Sequence, residues 1–432
     1  MQEELSIPYG RGHLPLALPA DAIPTVIRKK PLPRLADPKA AVTEALEKPI
    51  ASAPLSQLVK GRNSACILIC DITRPVPNHL FLRPMIKTML AGGIPRENIS
   101  VLVATGLHRP NLGEELAELV GDPWVLETVR VENHYARNED DHIDLGFTPT
   151  RNTPVKLDKL FVEADLRIAT GLVEPHFMAG WSGGRKVIAP GVAHHETIRT
   201  FHSARFMEDP LAVQCNLIGN PLHEEQLEIV KMLGEVYGLN TVLDEERDLV
   251  CVTFGEIIAS HAAAVEFVSD ATRVEVPRKF QTVVTSSAGY PLDKTYYQTI
   301  KGMVTPLDIL EPGGTLIMVS ACSEGFGSDE FREAQGRLVE LGPERFLATL
   351  TAKSLAEIDE WQTEMQLKPM RVGKVELYTT GLVGEDRLLT AVTLIDDISA
   401  AVRRSIDESG DTAVAFIPEG PYVVPRFGPV VA

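Results

Sequence analysis

The sequence predicts an α/β protein of two domains. Three observations lead there. Short apolar runs of strand length alternate with amphipathic segments of helix length along most of the chain. The 432 residues exceed what one core usually fills. A polar stretch at 269–278 interrupts the alternation, which then restarts. The expected division is a first domain over 1–272 and a smaller α/β domain over 273–409, with 410–432 crossing back to pack on the first domain.

Residues 1–60 are proline-rich, with a short amphipathic piece at 38–46. Ala65–Cys70 (ACILIC) reads as a buried strand that ends in the polar loop DITRPVP. Residues 81–90 read as a helix closed by Gly92 and Gly93. Ile99–Ala104 (ISVLVA) is the next strand, running into TGLHRP, and Gly113–Val120 the next helix. Residues 166–169 form another short strand, which ends in TGLVEPH. A helix over 222–237 and a strand over 250–254 complete the first half. The second half gives strands at Phe280–Ser286, 314–320 and 372–379, and helices at 294–302, 330–341 and 395–404. Because ligands of open α/β sheets bind beyond the carboxyl ends of strands, DITRP, TGLHRP and TGLVEPH are expected to converge on one site.

Bulk properties narrow the function. Hydrophobic residues make up 44% and charged residues 23%, enough apolar content to fill a core. A net charge of −17 argues against a nucleic-acid backbone or an anionic membrane as the main partner, but allows an anionic small substrate in one local cationic pocket. The five cysteines, Cys66, Cys70, Cys215, Cys251 and Cys322, are scattered and complete no zinc pattern. The amino terminus does not read as a signal peptide, and no apolar run approaches spanning length, so the cytoplasm is the expected compartment.

The densest polar cluster is 170–203, TGLVEPHFMAGWSGGRKVIAPGVAHHETIRTFHS. Its SGGRK is neither a phosphate loop nor a dinucleotide fingerprint. Alone it allows two readings, an anion at a glycine turn or a turn with solvated charges. His176, His194, His195 and His202 match no common metal spacing, and surface exposure is the simplest expectation for His194 and His195. Arg74, after a strand and beside Asp71 and Thr73, has the setting of a carboxylate fork; an Asp71–Arg74 ion pair that only shapes the loop is the alternative. His108 follows a strand and a threonine–glycine turn. His134, Glu139, Asp140, Asp141 and His142 read as an acidic, solvated loop. Tyr297 and Lys301, four apart on a helix, share a face, with Gln298 beside them.

In order along the chain, DITRP, TGLHRP, EPH, SGGRK, HETI with a following His202, and YQTIK resemble the nickel-dependent (nickel-pincer) lactate racemase family, and the resemblance covers nearly the whole chain. It implies two α/β domains with the active site in the cleft between them. It also implies a nickel-pincer nucleotide, the pyridinium-3-thioamide-5-thiocarboxylic acid mononucleotide of nickel, linked covalently through Lys186. By the same resemblance His202 is the one protein ligand to nickel, and His108 and His176 are the paired acid and base. Arg74, Tyr297 and Lys301 hold substrate. Asp71, Thr73, Ser182, Gly183, Gly184, Gln298 and Trp361 (in EWQTEMQ) lie by the cofactor or the catalytic groups. One imidazole beside a cofactor that brings its own donors accounts for the lack of an ordinary metal motif.

The activity so implied is inversion at C2 of a small 2-hydroxy acid, lactate by default, by hydride transfer to and from the cofactor, with cofactor-synthesis proteins as partners. Two other readings stay open: a metal-dependent hydrolase or sugar-acid enzyme using the same histidines, and a non-catalytic member that binds the cofactor.

Overall fold

Strand Ala65–Cys70 has parallel neighbours on both sides, Ile99–Ala104 and Leu166–Leu172, so apolar side chains on both of its faces are buried. The computed structural model, which describes residues 5–428, divides into two compact units. The first consists of Pro31–Phe201 and Leu211–Ser269. Its six-stranded sheet runs in the order Leu249–Glu256, Tyr237–Leu243, Leu166–Leu172, Ala65–Cys70, Ile99–Ala104, Arg130–Asn133. Every pairing is parallel except that of the first two strands. Helix Asn78–Ala91 buries Phe81, Leu82, Met85, Ile86 and Met89, a stripe at helical spacing, in a core shared with Ile67, Ile69, Val101 and Val103. Each such side chain contributes about 1.5–3 kcal/mol by leaving water.

The second unit consists of residues 5–30, His202–Pro210 and 270–428. Its sheet is wholly parallel, in the order Thr393–Ile395, Lys374–Tyr378, Leu310–Val319, Phe280–Ser286, Ala413–Ile417, Ile23–Val26. Helix Ile398–Ser409 is capped by Asp397, whose side chain accepts from Ala400 N, and closed by Gly410 in the left-handed region. It sets Val402 and Ile406 against Val284, Ile317 and Phe416.

Several expectations need correcting. The expected return of 410–432 to the first unit does not occur over residues 410–428: Ala413–Ile417 inserts between Phe280–Ser286 and Ile23–Val26, and Val424–Phe427 pairs with Arg273–Val276. Residues 429–432 lie outside the described residues. The chain's start also belongs to the second unit, where Ile7 packs with Val284 and Val319. So does His202–Pro210, because Ala204 packs with Phe346, Leu350 and Leu367. The helix expected over 222–237 stops at Leu233, where Gly234 at φ +77 breaks it, and Tyr237 instead starts a strand. Among the described residues no helix is long and apolar enough to cross a membrane.

Candidate active site

In the first unit Cys70 and Ala104 are register partners, so the loops after both strands leave the sheet side by side. Asp71, 5% exposed, uses this closeness. Its Oδ1 accepts from the Thr73 hydroxyl at 2.6 Å and the Thr73 N–H at 3.3 Å, forming a tight turn. Its Oδ2 accepts from His108 Nδ1 at 2.6 Å. Burial alone would raise the Asp71 pKa. The His108 charge, the hydrogen bonds from His108 and Thr73, and the Arg74 charge outweigh that and hold it below the ordinary value. Asp71 is therefore ionised at neutral pH, the His108 proton sits on Nδ1, and Nε2 is left as the basic nitrogen of the neutral ring. Arg109, next along, forms a fork with Glu115 at 2.6 and 2.8 Å.

Arg74 pairs not with Asp71 but with Glu174 of TGLVEPH, a residue the sequence reading did not single out. Two residues on, His176 is 7% exposed. Its Nδ1 accepts from the backbone N–H of Ala179 at 3.1 Å and of Met178 at 3.4 Å, so the neutral ring carries its proton on Nε2. The two histidines are thus oriented oppositely, one by a carboxylate and one by amides.

Ser182 spends its hydroxyl inside the turn, donating to Leu172 O at 2.7 Å and accepting from Glu174 N at 3.0 Å. Gly183 and Gly184 both have positive φ, and a Cβ on Gly184 would lie 2.9 Å from the His261 side chain. Only glycine fits there. Arg185 is buried and bonds to Ala179 O, Trp181 O and His261, with no carboxylate partner among the described residues; burial pushes its pKa down to about 9. Lys186 is half-buried. Its charge acts on the Cys70 thiol together with those of Arg74 and Asp71, which sets Lys186 near the carboxyl end of strand Ala65–Cys70. Burial raises that thiol to about 11, so Cys70 is no thiolate.

His194 and His195 are not exposed surface residues. His194 is 2% exposed and packs in a row with His142 and His195, while His134 bonds to Asp158 at 3.0 Å. Of the loop expected to be solvated, Glu139 and Asp140 are exposed, Asp141 and His142 are half-buried, and His134 is buried. The histidine row stems from strand Pro154–Asp158, whose Lys156 O accepts from His194 N at 2.9 Å.

In the second unit helix Tyr296–Val304 starts at Thr295, whose side chain accepts from Gln298 N. Tyr297 and Lys301 stand one turn apart on it. The Tyr297 ring sits edge-on to Phe331. Its hydroxyl accepts from Trp361 Nε1 at 3.4 Å, and its carbonyl from Gln362 Nε2 at 2.7 Å. Burial, then the Asp359 charge, push its phenol well above the ordinary value. The Trp361 ring also meets His202, with ring centroids 4.8 Å apart. Trp361 thus ties together two residues 95 positions apart in sequence, Tyr297 and His202 (297 − 202). Gln298 Oε1 is buried without a hydrogen-bond partner among the described residues. Asp359 and Gln362 support this cluster and carried no sequence signal beyond their closeness to Trp361. No group of three or more His, Cys, Asp or Glu suited to a metal occurs among the described residues.

Two imidazoles of fixed orientation thus stand beyond strand ends of the first unit's sheet, in a chain of α/β fold. Comparisons narrow this. Residues 9–214 match the lactate racemase N-terminal domain and residues 277–424 the lactate racemase C-terminal domain. The chain is 30% identical to a lactate racemase of Thermoanaerobacterium thermosaccharolyticum, over 98% of this chain and 99% of that one. It is also 30% identical to a lactate racemase of Lactiplantibacillus plantarum, over 89% and 90%. The apoprotein structure from T. thermosaccharolyticum superposes with a TM-score of 0.91 at 29% identity, covering 98% of this chain and all of that one. A Thermotoga maritima protein, at 18% identity and a TM-score of 0.68, shares the fold. The chain belongs to the lactate racemase family and is an isomerase.

Proposed function

We propose that this chain racemises a small 2-hydroxy acid, lactate first among them, with a nickel-pincer nucleotide as cofactor. The observation that carries the reading is the set gathered at the strand ends of the first unit: His108 oriented by Asp71, with Arg74 and Lys186 close enough to act on the same thiol.

The residues fit such a cofactor. Lys186 offers an amine two residues after a glycine turn that no other residue type could form. His202 offers an imidazole, a donor that suits nickel, beside the Trp361 ring. Gln298 keeps a buried acceptor without a partner among the described residues. In this reading Lys186 forms the thioamide link and His202 binds the metal. Asp71, Thr73, Ser182, Gly183, Gly184, Gln298 and Trp361 shape the surroundings, Ser182 through its turn rather than by its hydroxyl. When bound, the group accepts and returns a hydride.

The protein's part is to manage a proton and a carboxylate. Removing the C2 hydrogen with its electron pair avoids a carbanion beside the substrate carboxylate. His108 Nε2 takes the hydroxyl proton, and ionised Asp71 stabilises the imidazolium that results. Arg74, Lys301 and Tyr297 hold the carboxylate, so the planar keto acid inverts by a turn about its C1–C2 bond. His176, whose neutral ring carries its proton on Nε2 because its Nδ1 is taken by amides, donates a hydrogen bond to the inverted oxygen, which regains its proton from the His108 imidazolium. Cofactor-synthesis proteins are the expected partners, and a reducing cytoplasm suits the five free cysteines.

The test is chiral analysis of each lactate enantiomer incubated with protein made in a cofactor-synthesising host. Both should drift to the racemate. Loaded protein that leaves lactate and other 2-hydroxy acids unchanged contradicts the reading.

A further inference from the structure

Arg74 has two carboxylates to choose from. Asp71 lies within reach of its charge, and Glu174 holds its NH1 in an ion pair. The two oxygens of Asp71 are already engaged by His108 and Thr73, so it is Glu174 that fixes the Arg74 side chain.

Glu174 is itself well fixed. Its backbone N–H donates to Ser182 Oγ at 3.0 Å, and its carbonyl accepts from Ser182 N at 3.0 Å. Glu174 therefore moves with the glycine turn that carries Lys186. The pair is largely shielded, with side-chain exposures of 25% for Arg74 and 16% for Glu174, so it is screened less than a surface ion pair. No other side chain among the described residues takes a hydrogen bond from Arg74. With NH1 committed, the rest of the guanidinium fork remains for an incoming anion.

We propose that Glu174 is a positioning residue for substrate binding. It holds Arg74 in place, with the fork preset for the carboxylate of the 2-hydroxy acid. The physical gain is order. A free arginine side chain has much rotamer freedom to lose on gripping a substrate, and one already held by Glu174 has less. This rests on the reading above that Arg74 meets the substrate carboxylate. Glu174 touches neither the hydroxyl nor the C2 hydrogen, so its effect belongs in substrate binding and not in turnover.

The experiment compares cofactor-loaded wild type with Glu174→Gln, Glu174→Ala, Arg74→Ala and the Arg74→Ala/Glu174→Ala pair, with kcat and KM measured from both enantiomers. Glu174→Ala should raise KM about tenfold, the size of one weakened charge-assisted hydrogen bond, and leave kcat within about twofold. Glu174→Gln, which keeps shape and an acceptor, should fall between. The double variant should be no worse than Arg74→Ala alone, because the lost pairing can be lost only once.

Other results overturn the proposal. If Arg74→Ala raises KM and Glu174→Ala does not, Glu174 positions nothing. If the two effects multiply, they are independent. If Glu174→Ala lowers kcat with KM unchanged, the residue acts on the reaction itself. If Arg74→Ala keeps wild-type constants, the substrate lies elsewhere, and the reading of Arg74 fails with the proposal. Should Glu174→Ala not fold, Glu174→Gln carries the test, and an unchanged KM there is decisive against it.

Discussion

The Asp71 carboxylate accepts from His108 Nδ1 at 2.6 Å while its other oxygen is held by the Thr73 hydroxyl. One carboxylate thus fixes the tautomer and the heading of an imidazole that is otherwise half exposed, at 53%. The strand register that aligns Cys70 with Ala104 brings the two residues together, so the dyad follows from the sheet and not from sequence proximity.

Asp71→Asn keeps the size of the side chain but removes the charge that favours imidazolium. The loss in kcat should be on the order of a hundredfold, the lower range for a disabled general base, with little change in thermal stability. Steady-state kinetics beside a thermal melt checks this. A variant with wild-type kcat would take Asp71 out of the proton path.

His176 is oriented the opposite way, by the amides of Ala179 and Met178 at Nδ1. Nitrogen NMR of histidine-labelled protein should show His176 protonated at Nε2 and His108 protonated at Nδ1 when both are neutral. If the two rings have the same tautomer, their inequivalence is wrong.

Lys186→Ala should fold and lack the covalent mass increment that wild type acquires in a cofactor-synthesising host. His202→Ala should keep the increment and lose nickel on dialysis, since its imidazole is the proposed protein donor. Intact mass and metal analysis separate the two roles. A full adduct on Lys186→Ala, or undiminished nickel on His202→Ala, contradicts the assignment.

The histidine row predicts a pH effect on stability. Burial first, then the neighbouring His195 charge, lowers the His194 pKa from 6.5 to about 4, and burial also lowers those of His142 and His195. The unfolded chain binds these protons at higher pH than the folded one. The row therefore costs nothing above about pH 6.5 and destabilises progressively as pH falls toward 4. Thermal midpoints should drop across that window, and less steeply in His194→Gln. An identical pH slope in that variant would show that the row does not titrate as described.

The sequence made the strands legible because central parallel strands must be apolar on both faces. ACILIC and ISVLVA read as strands for that reason, and their polar ends marked the loops that hold Asp71 and His108. Long-range pairings were not legible. Ile23–Val26 is a short strand with Pro24 inside it and Ile23 63% exposed, and only its pairing with Ala413–Ile417 places it in the second sheet. His202 directly follows the helix HETIRTF, which ends at Phe201 in the first unit, yet it belongs to the second because Ala204 finds its core there. Glu174 was passed over because its role depends on Arg74, 100 residues earlier (174 − 74). The buried histidines read as surface because local polarity cannot reveal that a neighbouring strand covers them.

In the proposed mechanism the C2 hydrogen moves as hydride while the histidines handle only the oxygen-bound proton. The most direct measurement follows deuterium at C2. Lactate deuterated there, racemised in ordinary water by the loaded enzyme, should keep its label in the inverted product, and unlabelled lactate in heavy water should gain almost none. Substantial washout into solvent during early turnover would mean that the hydrogen leaves as a proton, and would contradict the account even with nickel and the Lys186 adduct both present.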